Sequence, residues 1–165
     1  MITIYLKNFN RELTQKIYDE VIDNLNIYNL MCPKCFACHM SKHAYYSRGV
    51  KTKSGKIELV VLRVKCEECN STHAILLSCI IPYQSIQLKD QIRIIKNINV
   101  KQLMKDNTCI SELNVYYVRR NYRKYFEQRL ISHNISLDRN LVYNCFLKFF
   151  RNFNQVKWGC NGFYT

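Results

Sequence analysis

Cys32-Pro-Lys-Cys35 and Cys66-Glu-Glu-Cys69 are two C-x2-C motifs separated by 30 residues. Each motif turns two thiolates in the same direction and so supplies half of a tetrahedral metal site. Between them, Ala44–Lys51 and Ile57–Lys65 resemble strands, and Lys53-Ser54-Gly55-Lys56 is a turn signal. A hairpin would bring the two half-sites together. We therefore predict a zinc ribbon in which the four cysteines bind one structural Zn²⁺.

The first half-site has two alternative registers, because Cys38 extends the motif to C-x2-C-x2-C. We prefer Cys32 and Cys35, since Pro33 directly after the first cysteine suits a tight turn. The residue after the second cysteine of such a turn often needs a left-handed backbone conformation, which is easy for Asn70 and unfavourable for Phe36.

Other side chains near the ribbon leave the ligand set open. Three histidines are alternative ligands, although a histidine beside a ribbon is more often a packing or surface group: His39, His43 and His73. The isolated cysteines are interpreted as small core residues: Cys79, Cys109, Cys145 and Cys160.

We expect no enzymatic activity from this chain. Four thiolates would close the zinc coordination shell, whereas a catalytic zinc keeps one position open. A two-metal nuclease needs several converging carboxylates in an α/β domain. The acids beyond Cys79 lie instead in helical or turn contexts: Asp90, Asp106, Glu112, Glu127 and Asp138.

The charge of the chain indicates a polyanionic partner. Lys and Arg number 25 against 12 Asp and Glu, which gives a net charge of +13. Residues 79–165 carry fourteen basic and five acidic side chains, so the surplus is concentrated in the carboxyl half. Nucleic acid is the first candidate for such a surface, and an anionic membrane surface is the second.

The sequence favours a cytoplasmic location and no membrane association. Lys7 and Arg11 follow the short apolar start, and no cleavage site for a signal peptide is present. The longest apolar run, Ala74–Pro82, is too short to span a bilayer and contains Ser78. In a reducing cytosol, nine cysteines in close-spaced groups suggest a metal site before disulfides.

The periodicity predicts an α+β fold, with the ribbon followed by a helical region. We expect three segments: a strand and a helix in 1–31, the ribbon in 32–82 and helices in 83–165. A strand is predicted at Ile2–Leu6 and a helix at Asn10–Asn24. The later helices are predicted at these positions: Leu88–Ile98, Val100–Asp106, Glu112–Leu130 and Arg139–Phe153.

Two of these helices have the layout of a helix-turn-helix. Val100–Asp106 is followed by the turn 107–111 and then by the long basic helix. Ser111 is a suitable N-cap for that helix, and Glu112 is favourably placed in its first turn.

The second helix of this unit should present one polar stripe to a ligand. Val115 and Val118 recur at helical spacing and should face the core. Asn and Arg suit base edges, and Tyr and Lys suit phosphates. The residues predicted to bind nucleic acid are Asn114, Tyr117, Arg119, Arg120, Asn121, Arg123 and Lys124. Duplex DNA is the expected partner, RNA is an open alternative, and a merely solvated basic helix is the rival interpretation.

The last predicted helix has a broad apolar face between Leu141 and Phe153. A core helix is its simplest interpretation, and a surface for a protein partner or a homodimer is the alternative.

Five short motifs resemble a bacterial family associated with insertion sequences. They are Cys32-Pro-Lys-Cys35, Tyr46-Ser-Arg48, Arg63-Val-Lys-Cys66-Glu-Glu-Cys69, Thr72-His73-Ala-Ile-Leu and Ile81-Pro82-Tyr83. Proteins of that family are similar to the amino-terminal zinc ribbon and helix-turn-helix of transposases without the nuclease.

The resemblance extends over roughly residues 1–155. It implies that the four cysteines are zinc ligands and that the helix from Glu112 reads DNA. It also implies a bacterial, nucleoid-associated protein. Phe36 departs from the family pattern, which usually has Gly at that position.

Together these features predict a zinc-ribbon and helix-turn-helix protein that binds DNA in a sequence-directed way. The rival hypothesis is a zinc-stabilised adaptor of a mobile-element or phage-related system, which contacts a protein through the Leu141–Phe153 face.

Overall fold

The computed structural model describes residues 1–7, 11–138, 140–155 and 161–164 of the chain. These residues form an α+β fold, as predicted from the sequence. The strands are β1 (Ile2–Ile4), β2 (Met40–Thr52), β3 (Gly55–Cys66), β4 (Thr72–Leu77) and β5 (Gly162–Tyr164). The helices are α1 (Gln15–Asp23), α2 (Leu88–Ile95), α3 (Val100–Asp106), α4 (Glu112–Tyr125), α5 (Glu127–Ser132) and α6 (Leu141–Phe149).

The strands form one five-stranded sheet in the order β2-β3-β4-β1-β5. β3 and β4 are antiparallel, whereas β1 runs parallel to both β4 and β5. Three consecutive residues of β4, 75–77, are fully buried. A strand that is covered on both faces has an unbroken apolar sequence. It therefore lacks the alternation of apolar and polar residues by which a strand is recognised.

The predicted ribbon hairpin is confirmed. β2 and β3 are neighbours in the sheet, and the turn between them contains Gly55 at a φ of +116°. Glycine accepts this conformation without a steric penalty. The Thr52 hydroxyl closes the turn by donating to the Gly55 carbonyl at 2.9 Å.

α1 completes the sheet at the point where β3 and β4 separate. Their pairing includes Arg63 opposite Ala74, so Leu62 and Ile75 come next. The Tyr18 hydroxyl occupies this place: it accepts from the Leu62 N–H at 2.9 Å and donates to the Ile75 carbonyl at 3.0 Å. Tyr18 is buried, so these bonds satisfy two backbone groups that water does not reach.

The chain divides into two compact units. The first contains residues 1–49, 58–77 and 159–165, and the second contains residues 50–57 and 78–158. The first unit therefore combines parts of all three segments expected from the sequence. The tip of the ribbon hairpin belongs to the second unit.

The second unit has two apolar clusters. One brings buried side chains of α2, α3 and α4 together, among them Ile94, Leu103, Val115 and Val118. The other packs Phe126 and Leu130 against α6 and Phe153. The first cluster gives the predicted helix-turn-helix a three-helix core.

Several predicted boundaries need correction. The prediction of one continuous helix over Glu112–Leu130 is wrong. The chain breaks the helix at Phe126, whose φ of −124° is not helical. The last helix ends at Phe149 and not at Phe153, since Phe150 is left-handed. Strands β4 and β5 were not predicted. The predicted starts at Asn10 and Arg139 lie outside the described residues.

Among the residues that the structure describes, no helix combines the length and apolarity needed to cross a bilayer.

Candidate metal centre and nucleic-acid interface

The structure brings the four predicted cysteine sulfurs together. All four Sγ atoms of Cys32, Cys35, Cys66 and Cys69 lie within 4.8 Å of one another. Cys32 Sγ is 3.6 Å from Cys69 Sγ, and Cys35 Sγ is 3.6 Å from Cys66 Sγ. Four sulfurs placed tetrahedrally about 2.3 Å from one ion lie about 3.8 Å apart. The arrangement is therefore compatible with one metal ion.

Short backbone hydrogen bonds shape both cysteine turns. In the first turn, the Phe36 N–H donates to the Cys32 carbonyl at 2.8 Å and the Cys32 N–H donates to the Ala37 carbonyl at 2.7 Å. In the second turn, the Cys66 N–H donates to the Ser71 carbonyl at 2.9 Å. These bonds direct the paired thiols of each motif toward the same point.

The residue after each turn adopts the left-handed conformation expected from the sequence. Asn70 has a φ of +56° and Phe36 a φ of +63°. For a residue as bulky as Phe36 this conformation costs about 1–2 kcal/mol. Phe36 is 70% exposed, so packing of the ring offsets little of that cost. Phe36 thus adopts the backbone conformation that the turn requires, and the first half-site keeps Cys32 and Cys35 as its two cysteines.

His73 supports the sulfur cluster from β4. Its Nε2 lies 3.4 Å from Cys32 Sγ, and the backbone N–H of Lys34 lies at the same distance from that sulfur. Burial lowers the pKa of His73 to about 4, so the ring is neutral at neutral pH. Hydrogen bonds to a coordinating thiolate orient the ligand and stabilise its charge.

Of the alternative ligands, His73 contacts the sulfur cluster through Cys32, whereas Cys38, His39 and His43 lie outside it. Among the described residues, the four cysteines form the one group whose potential ligand atoms converge. Cys38 is exposed and outside this group. The ring of His39 packs against Tyr28 at 4.8 Å between centroids, and His43 is exposed on β2.

The isolated cysteines are not equivalent. Cys145 is fully buried, and its burial raises the pKa of the thiol to about 12, as expected for a core residue. Cys79 and Cys109 are partly exposed. Cys160 lies outside the described residues.

Helix α4 begins with the predicted cap. The Ser111 hydroxyl accepts from the Asn114 N–H at 3.4 Å, and the Asn114 side-chain oxygen accepts from the Ser111 N–H at 3.1 Å. This reciprocal pair is a capping box, in which both side chains satisfy backbone donors at the helix start. Asn114 therefore has a structural partner as well as a place on the predicted stripe.

Arg119 also has structural partners. Its Nε donates to the Ile94 carbonyl at 3.3 Å, and its terminal nitrogen donates to the Asn97 side-chain oxygen at 2.9 Å. Both acceptors belong to the end of α2 and the turn after it. The guanidinium of Arg119 is thus held in place beside α4.

The remaining predicted residues lie on the outer side of α4. Tyr117, Arg120, Arg123 and Lys124 are exposed, and Asn121 is half-buried. Val115 and Val118 are buried, as predicted. The outer side of this helix therefore presents cations and a phenol, while its inner side packs in the three-helix core.

The sequence did not single out two side chains next to this surface. Tyr116 is 57% exposed, and its ring contacts that of Tyr117 at 5.6 Å between centroids. Tyr116 and Met104 also line a cavity of about 820 Å³ together with the basic side chains of α4. The spacing of Tyr116, Arg120 and Lys124, four residues apart, was the signal that could have identified the first of them.

The predicted partner face on the last helix is largely buried. The side chains inside the second unit are Leu141, Val142, Cys145, Phe146 and Phe153. Within the same stretch, Leu147 on α6 and Phe150 just after it remain exposed.

One family profile matches part of this chain. Residues 32–113 are similar to a family described as a domain of unknown function (DUF6431). The matched segment runs from the first cysteine of the cluster to the first turn of α4. No curated protein and no solved structure matches the chain.

Proposed function

We propose that this chain is a DNA-binding protein whose ribbon is stabilised by one structural zinc ion and whose recognition element is α4. The observation that carries the proposal is the two-sided character of α4. Its inner residues Val115 and Val118 are buried, while Arg120, Arg123 and Lys124 lie exposed on its outer side.

Zinc is the metal that best suits the sulfur cluster. Thiolates are soft ligands that favour Zn²⁺ or an iron–sulfur centre, and zinc takes four of them tetrahedrally in structural sites. Cys32, Cys35, Cys66 and Cys69 would complete the coordination shell and leave no open position for a substrate. Bound zinc would link the two cysteine turns, and the chain would act by recognition without chemistry.

The charge of the chain supports a nucleic-acid ligand. The formal charge is +13, and a basic surface of this kind attracts phosphate backbones. The packing of α2, α3 and α4 around one apolar cluster is compatible with a helix-turn-helix, which inserts one helix into the major groove. On this account Tyr117, Arg120, Asn121 and Lys124 face the DNA, while Asn114 and Arg119 hold α4 in position.

The motifs that resemble insertion-sequence proteins suggest the biological setting. A transposase-like ribbon and helix-turn-helix without a nuclease would recognise an element's DNA and leave strand cleavage to another protein. We propose accordingly a cytoplasmic, nucleoid-associated protein of a bacterial mobile element.

The test is direct binding of the zinc-loaded chain to random-sequence duplex DNA, single-stranded DNA and RNA of equal length. Preferred binding to duplex DNA supports the proposal. Preferred binding to RNA would show that the ligand is RNA and not DNA. If the folded protein binds none of the three, a nucleic-acid function is excluded.

A second candidate is an adaptor that binds a protein through α6. The observation in its favour is the exposure of Leu147 and of Phe150, which is 78% exposed. This hypothesis expects Phe150→Asp to abolish capture of a partner while the fold and the zinc content stay unchanged. It also expects no salt-sensitive binding to nucleic acid.

A further inference from the structure

The cavity beside α3 and α4 concentrates positive charge. Its volume is about 820 Å³, and its walls include Arg119, Arg120, Arg123 and Lys124. Arg119 and Arg123 lie one helical turn apart, as do Arg120 and Lys124. Like charges at this spacing destabilise a helix. A bound anion would therefore relieve the repulsion between these cations.

The protein itself supplies little compensation for this charge. Glu112 is the one acidic side chain that lines this cavity, and Glu127 lines a smaller cavity that Arg119 and Arg123 also border. Within the described parts of the chain, no carboxylate forms an ion pair with any of the four cations. An external anion would therefore be attracted to this place.

Two of the cations, Arg119 and Arg123, border the same open spaces. Arg119 is already oriented, since Asn97 and the Ile94 carbonyl accept its hydrogen bonds. Arg119 and Arg123 also line a second, smaller cavity of about 280 Å³ on the same helix. Both side chains thus border two open spaces, and Arg123 is exposed.

We propose that this cavity is a phosphate-binding pocket, in which Arg123 and the pre-oriented Arg119 bind a phosphate group. Guanidinium groups match phosphate geometry with paired hydrogen bonds. The phosphate comes either from a DNA backbone or from the polyphosphate of a free nucleotide, whose base would lie against Tyr116 and Met104. The first source rests on the proposed DNA-binding function, whereas the second does not.

The test compares Arg123→Gln with Lys148→Gln, which removes the same charge from an exposed position on α6 away from the pocket. A third variant, Asn97→Gly, removes the acceptor that holds Arg119. Gly suits the left-handed backbone of Asn97, whose φ is +57°. Calorimetry would measure binding of inorganic tripolyphosphate, nucleoside triphosphates and a short duplex at low ionic strength. Circular dichroism and zinc content would verify the fold of each variant.

We expect Arg123→Gln to weaken tripolyphosphate binding about tenfold or more, because a charge-assisted contact is lost. Asn97→Gly should weaken it less, and Lys148→Gln by less than about twofold. If tripolyphosphate and duplex DNA compete and both depend on Arg123, the pocket binds the DNA backbone. If nucleoside triphosphates bind in an Arg123-dependent way and duplex DNA does not bind, the pocket stands and the DNA-binding proposal fails.

Two outcomes would overturn the pocket. One is that no phosphate-bearing probe binds the wild type. The other is that Arg123→Gln and Lys148→Gln weaken binding of every probe equally. Duplex binding that survives Arg123→Gln unchanged would leave the DNA-binding proposal standing without this pocket.

Discussion

The ammonium group of Lys51 donates a hydrogen bond of 2.6 Å to the side-chain oxygen of Asn114. The same group donates to the Cys109 carbonyl, also at 2.6 Å. Lys51 lies near the tip of the ribbon hairpin, and its backbone pairs with Ser85 and Ile86. Within the second unit, the hairpin tip is thus joined to the turn that starts α4.

Replacement of Lys51 should loosen this connection. Lys51→Met keeps most of the side-chain length and removes both hydrogen bonds, so we expect a loss of about 1–3 kcal/mol in the free energy of unfolding. Denaturant unfolding measures the effect. Lys53→Met, at an exposed position of the same turn, is the control and should change stability by less than about 0.5 kcal/mol. Equal effects of the two changes would contradict this role of Lys51.

Tyr18→Phe should destabilise the first unit by about 1–3 kcal/mol, because it leaves a buried N–H and a buried carbonyl without a partner. Tyr45→Phe is the matched control, since Tyr45 is exposed on β2. Denaturant midpoints of the two variants provide the comparison. A loss no larger than that of the control would mean that water satisfies the two backbone groups.

The contribution of Tyr18 should also depend on pH. Burial raises its pKa above the ordinary value of about 10. A group whose pKa is raised in the folded state contributes its full stabilisation at pH values below its unfolded-state pKa. This stabilisation is lost as the pH rises above that value. The stability difference between wild type and Tyr18→Phe should therefore shrink from pH 8 to pH 11. A constant difference over this range would show that the phenol does not ionise differently on unfolding.

The two registers of the first cysteine turn predict different metal contents. Cys35→Ser should abolish stoichiometric zinc binding, because Cys35 Sγ lies in the sulfur cluster. Cys38→Ser should leave one zinc per chain, since its thiol lies outside the cluster. Because Cys35 belongs to both registers, Cys35→Ser is the control for metal loss, and elemental analysis of purified Cys32→Ser and Cys38→Ser decides the question. Loss of metal from Cys38→Ser but not from Cys32→Ser would reverse the assignment.

Arg120→Ala should reduce affinity for a preferred duplex, selected from a random pool, by about 1–3 kcal/mol and relax the sequence preference. The reason is its exposed place on the outer side of α4, where it can reach a base edge. Lys148→Ala is the control for lost charge. If Arg120→Ala weakens all sequences equally, the side chain contacts phosphate and not bases.

The parts of the fold that the sequence predicted correctly carry local signals. The cysteine turns, the hairpin turn at Gly55 and the cap at Ser111 each depend on a few neighbouring residues. β5 has no such signal, because its three residues pair in parallel with β1 at the opposite end of the chain. Parallel pairing across so long a separation has no pattern in the strand itself.

The site was only partly predictable for the same reason. Helical spacing correctly separated buried Val115 and Val118 from the polar side of α4. It could not show that Arg119 is held by Ile94 and Asn97, which depends on how α2 packs against α4. The break at Phe126 was also invisible, because apolar spacing continues through it into α5.

The salt dependence of duplex binding tests the central claim most directly. Affinity of the zinc-loaded chain for duplex DNA should be measured between about 50 and 200 mM salt, for the wild type and Lys124→Ala. If α4 binds DNA, log affinity should fall steeply with log salt, because each neutralised phosphate releases counterions. Lys124→Ala should make the slope shallower by about 1. A folded, zinc-loaded protein that binds no duplex at the lowest salt, or binds it without dependence on salt, would contradict the account.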